Sequence, residues 1–98
     1  MPTYILLTKL SPESLGEPRQ REQVGRQWFA AVKAACPAVK WIDHYALLGP
    51  YDFMDIYEAP DVDTAHKVSL ISRSEGAITA ESWAAIPYKR FLEIAKEL

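Results

Sequence analysis

The first alternation of apolar and polar residues runs over Thr3 to Lys9, a short stretch rich in β-branched and aromatic side chains that ends at Ser11-Pro12-Glu13. That composition and that stop predict a strand followed by a turn. From Pro18 the period lengthens: Val24, Trp28, Ala31, Val32 and Ala35 recur at intervals of three and four, with Arg19, Arg26 and Lys33 on other faces. This is the signature of an amphipathic helix, opened by Pro18 and stopped by Pro37. Gly25 interrupts the helix near its apolar stripe, at a cost of about 1 kcal/mol relative to alanine, and predicts close approach to the sheet.

Val39 to Leu48 and Phe53 to Ala59 read as an antiparallel pair joined by Gly49-Pro50-Tyr51-Asp52. Asp61 is placed to cap a second helix running to about Arg73, with Ala65, Val68 and Ile71 inward and Gly76 at its end. A fourth strand, Ala77 to Ile86, follows. Pro87 then opens a terminal helix whose apolar positions are Phe91, Leu92, Ile94, Ala95 and Leu98, leaving Lys89, Glu93 and Lys96 to solvent. A strand-helix-strand unit used twice, with a hairpin between, is the ferredoxin-like order: α+β, βαββαβ with an added C-terminal helix. The first and third strands are expected at the centre of a four-stranded antiparallel sheet, with both long helices on one face and the other face open.

At 98 residues the chain is expected to be a single domain over 1–98. A domain this small hides a limited share of its surface, so a second copy against the open face is expected. Eleven basic and thirteen acidic residues, in no block of either sign, argue against a nucleic-acid partner. The apolar runs fall far short of the roughly 20 residues that span a bilayer, and no charged, apolar leader precedes the first strand. With one cysteine and no internal disulfide to form, a cytoplasmic protein with no membrane partner is expected. Cys36 sits at the end of the first helix, where the dipole disfavours a thiolate, and reads as a small apolar cap.

The segment Leu48-Gly49-Pro50-Tyr51-Asp52-Phe53, with Glu58-Ala59-Pro60-Asp61 after the next strand, resembles the GYD domain family and its Gly-Tyr-Asp signature. The opening Met1-Pro2-Thr3-Tyr4-Ile5-Leu6-Leu7-Thr8, the Ser11-Pro12-Glu13 turn, and Thr79-Ala80-Glu81 running into Ile86-Pro87 fit the same pattern, so the resemblance covers nearly the whole chain. It implies a dimeric α+β barrel, in which two open sheet faces meet around a shared interior. Activity does not follow, because similar barrels include cofactor-poor monooxygenases, dehalogenase-like and lyase-like enzymes, and small-molecule sensors. Pro50, at the variable signature position, stiffens the turn.

Gly49, Tyr51 and Asp52 read as turn chemistry before they read as a site. In the third strand Met54 and Ile56 form an apolar pair suited to the helices, which sends Phe53, Asp55 and Tyr57 to the open face. In the fourth, the small row Ile78, Ala80, Ser82 and Ala84 is assigned to the helices, leaving Glu81 and Trp83 open. Tyr4, Leu6 and Thr8 then floor a gap of roughly 10 Å between Asp55 and Glu81. A four-residue loop pairs Leu48 with Phe53, Ala46 with Asp55 and His44 with Tyr57, bringing His44 to the same face; a three- or five-residue loop brings Asp43 and Tyr45 instead.

The resulting candidates for ligand contact are Tyr4, His44, Phe53, Asp55, Tyr57, Glu81 and Trp83. A small-molecule pocket on the open face of a homodimer is the first functional reading. The second is an enzyme without a cofactor, His44 or Asp55 taking a proton and Tyr57 steadying an oxyanion. The third is a structural dimer subunit. No Cys or His spacing suits a metal, His66 lies on an outward helix face, and no glycine loop cradles phosphate, so no cofactor is expected. Trp28, Trp41 and Trp83 are expected in the core or at the dimer interface.

Overall fold

A computed structural model describes residues 1–98. Strand β1 (Thr3–Leu10) leads into a short turn of helix, α1 (Pro12–Leu15), whose N-cap Ser11 accepts from the Ser14 N–H. A single 3₁₀ turn at Pro18–Gln20 then opens α2 (Arg21–Ala35). Strands β2 (Lys40–Ala46) and β3 (Phe53–Glu58), helix α3 (Val62–Ser74), strand β4 (Ala77–Ala85) and helix α4 (Tyr88–Lys96) complete the chain. The sheet is antiparallel in the order β2-β3-β1-β4, the ferredoxin-like arrangement, with the first and third strands central.

The punctuation works as its chemistry demands. Asp61 accepts from the Thr64 N–H at 2.8 Å, so α3 begins there. Gly76 ends it with φ +113°, a conformation that strains any side chain, and an added Cβ would also lie 2.2 Å from Ser14 Oγ unless that side chain moved. Cys36 caps α2, is buried, and has its thiol pushed up by that burial.

The core lies between the sheet and the two long helices and joins Tyr4, Leu6 and Tyr57 of the sheet to Val32, Ala65 and Val68 of the helices. The tyrosine rings stack at 5.5 Å, and the Tyr57 hydroxyl donates to Ser82 Oγ at 2.7 Å. Ser69 of α3 shares the same Ser82 oxygen, which ties helix and sheet through a polar thread.

This core reverses part of the expected facing. Tyr4, Leu6, Thr8, Phe53, Asp55 and Tyr57 point towards the helices, while Met54 and Ile56 take the open side. Asp55 has a partner across the ladder, His44, which offsets part of the penalty that a lone carboxylate would carry under the helices. The small row of β4 does face the helices, since Ala80 packs on the core and Ser82 bonds Tyr57. Glu81 and Trp83 therefore share the open face with neither Asp55 nor Tyr57, and the expected gap between Asp55 and Glu81 does not exist.

The terminal helix also departs from expectation. Its apolar residues find no full burial within the chain: no residue of α4 is buried, and Tyr88 and Phe91 are 72% and 54% exposed. Its amphipathic pattern specifies an apolar face without supplying the surface to meet it.

Candidate functional site

The helix-covered face is not sealed along its whole length. The C-terminal half of α2 reaches the core through Val32 and Cys36, whereas its first turns carry Arg21, Val24, Gly25 and Trp28 above the β2-β3 end of the sheet. Between them lies a cleft of about 630 Å³. Bulky rings keep the two layers apart: Trp28 meets Trp41 edge-on at 5.4 Å, and Phe29 lies 5.9 Å from Trp41. Trp28 is anchored by its indole N–H, which donates to the buried Ser72 hydroxyl at 2.8 Å. That hydroxyl in turn donates to the Val68 carbonyl.

Gly25 is part of this opening. The expected close approach to the sheet is absent, because an added Cβ would meet nothing within 4 Å. A mid-helix glycine that packs against nothing leaves space, and here the space is the cleft.

The polar end of the cleft is set by strand register. The hairpin pairs Ala46 with Phe53 and His44 with Asp55, two residues displaced from the expected register because the connection is longer, spanning 47–52. A shift of two preserves the face, so His44 does accompany Asp55, on the helix side. His44 Nδ1 stands 2.5 Å from Asp55 Oδ1. The histidine ring also stacks on Phe53 at 5.7 Å and remains largely exposed, while Asp55 is 3% exposed. Burial pushes the Asp55 carboxyl above the ordinary carboxylate range, and the adjacent His44 pulls it part of the way back. A bulge between Trp41 and Asp43 then lets Trp41 pair with Tyr57 and close the far wall.

Chemically, this is a carboxylate that orients a histidine through Nδ1 and leaves Nε2 available, the geometry of an oriented general base. Tyr57 takes no part, for it is fully buried, bonded to Ser82, and pushed up to about 12 by burial. Tyr4 lies beneath it in the core. Of the residues expected at one site, then, His44, Phe53 and Asp55 come together; Tyr4 and Tyr57 are core, and Glu81 and Trp83 lie across the sheet. Sequence reasoning missed Gly25, Trp28, Phe29 and Arg21 as cleft residues. The one signal available was the helix glycine one turn from a tryptophan, which the sequence pattern assigns to close packing instead.

The signature residues hold the hairpin in place. Asp52 Oδ2 accepts from the Leu10 N–H at 2.8 Å, and the Asp52 N–H donates to the Thr8 carbonyl. On the opposite face the Tyr51 hydroxyl donates to Glu81, which also accepts from the Trp83 indole. Gly49 has open space where a Cβ would stand.

A family model described as "GYD domain" matches residues 4–95. A Thermus thermophilus protein named "Glutamine synthetase and cystathionine beta-lyase binding protein" is 30% identical over 91 residues, which span 89% of this chain and 90% of the relative. Among solved structures, TTHA0845 from Thermus thermophilus matches with a TM-score of 0.56 at 24% identity, over 89% of this chain and 95% of that one. The crystal structure of FFRP-DM1 matches with a TM-score of 0.57 at 19% identity, over 88% and 100%. At these identities the structural likeness concerns the fold.

Proposed function

The chain belongs to the GYD domain family, and from that premise we propose that it is a homodimeric protein that binds a small molecule between α2 and the sheet, rather than on the open face. The observation that carries this reading is the cleft itself: about 630 Å³, walled by aromatic rings, with a nearly buried carboxylate and a histidine at one end. Such a volume and such a mixture suit a small ligand. The open face, with Ile56, Met54, Tyr45 and Trp83, is then free to meet a second copy, as the dimeric barrel arrangement requires. If the occupant is a substrate, proton transfer at His44 is the chemistry this end of the cleft offers.

A second reading adds a protein partner. It draws on the name of the Thermus relative and on the bare apolar side of α4, whose Tyr88 and Phe91 stand in solvent. The two roles are compatible, because the cleft and α4 use different surfaces.

Gly25 separates a binding cleft from a mere packing gap. Gly25→Ala is expected to stabilise the protein by roughly 0.5–1 kcal/mol, since helix propensity improves and nothing obstructs the methyl. Gly25→Leu is expected to fold equally well and to obstruct the cleft beside Trp28. In a thermal-shift screen of small molecules, compounds that raise the melting temperature of the native protein should leave Gly25→Leu unmoved. Hits that stabilise both alike would place the site elsewhere.

A further inference from the structure

Resting on the cleft as the binding site, we propose that its occupant is an organic cation: an ammonium or amidinium group carried on an apolar body the size of one or two rings. Trp28, Phe29, Trp41 and Phe53 give the walls their apolar character, and the π-faces of such rings attract positive charge. The Phe53 ring already receives one cation, since the Arg21 guanidinium sits over it at 5.8 Å.

The charge at the polar end points the same way. Asp55 lines the cleft with a side chain 5% exposed, and His44 engages its Oδ1. No other hydrogen bond or ion pair within the chain engages this carboxylate, and its second oxygen is not sealed off unsatisfied. A ligand donor is what that oxygen lacks. Around the rim, the acids Glu22, Asp43 and Glu75 outnumber the bases Arg21 and Arg26. Arg26 and Glu22 pair with each other at 3.1 Å, which leaves Asp43 and Glu75 against Arg21, whose guanidinium also bonds the Ser14 carbonyl. An anion entering the cleft would meet the buried Asp55 carboxylate, with Arg21 as the one cation not paired to an acid. A neutral donor could fill the walls and bond Asp55, but it would leave the charge unmatched.

Three probes of one shape test this. Benzylammonium, benzyl alcohol and benzoate are titrated at neutral pH and low salt into the intact protein, following the fluorescence of Trp28 and Trp41. Benzylammonium is expected to bind roughly tenfold tighter than benzyl alcohol, with benzoate weakest. Asp55→Asn, which keeps the shape and removes the charge, is expected to bring the first two within about twofold of each other. Equal binding of cation and alcohol by the native protein, a preference for benzoate, or a cation preference that survives Asp55→Asn would overturn the proposal. The comparison within the native protein stands even if that variant folds poorly. Failure of all three probes, or their equal binding to Gly25→Leu, would overturn the cleft reading itself and the cation with it, whereas alcohol binding that Gly25→Leu abolishes would refute the cation alone.

Discussion

His44→Ala is expected to lower stability by roughly 1–3 kcal/mol at pH 7, and by much less at pH 4. Asp55 is 3% exposed and has His44 as its protein partner, so truncation leaves an almost buried carboxylate without a donor. The pH dependence follows from the direction of the carboxyl shift. Burial raises the folded-state pKa above the ordinary carboxylate value, so the protonated form is the one the fold prefers. The corresponding stability is fully present below the ordinary carboxylate pKa and is lost as the pH rises through the folded value. Removing His44 deletes the influence that pulls the carboxyl back down, so the loss on moving from acid to neutral pH becomes larger. Urea unfolding of both proteins at the two pH values measures this. Adding Asp55→Asn to His44→Ala should recover part of the deficit at pH 7, since no charge is then stranded. An equal penalty at both pH values would mean that His44 acts through packing on Phe53.

The second large effect concerns assembly. Trp83→Lys is expected to weaken the proposed dimer by about a hundredfold or more, leaving a folded monomer at micromolar concentration. Trp83 is 49% exposed on the open face, and Tyr45 across the sheet is 47% exposed. Only 14 of the 98 residues are buried within one chain, so the apolar open face is a large share of what a second copy could cover. A lysine there can pair with Glu81, which the Trp83 indole now contacts at 3.0 Å, so the strand itself should tolerate the change. Light scattering reads the mass, and far-UV circular dichroism reads the fold. A native protein that is already monomeric, or a variant that stays dimeric, would remove the open face as the interface.

Much of the fold is legible in the sequence because its punctuation is local. Asp61, Gly76 and Pro87 mark element ends through their own backbone chemistry, and no distant residue alters that. The facing of β1 and β3 is not legible, for a physical reason. In β1 the rows Tyr4-Leu6-Thr8 and Ile5-Leu7 are comparably apolar, so alternation names no inner side. In β3 the aspartate weighs against burial, and only the ladder places His44 opposite Asp55 to reverse that weight. The small row of β4 declares its own side, but carrying its facing to β1 requires knowing that Leu6 pairs with Ser82, and register lies in three dimensions. The cleft is hidden for a related reason. A glycine beside a neighbour and a glycine beside a void are the same letter; the pattern around Gly25 suggests the first, and the structure shows the second. For α4 the pattern describes a surface correctly and cannot name what covers it.

Amide and indole chemical-shift mapping with benzylammonium tests the location of the site most directly. Shifts are expected to gather at Gly25, His44 and Asp55 and at the indole N–H groups of Trp28 and Trp41, all of which line the cleft. Shifts gathered instead at Tyr45, Ile56 and Trp83 would put the ligand on the bare side of the sheet and contradict a binding cleft beneath α2.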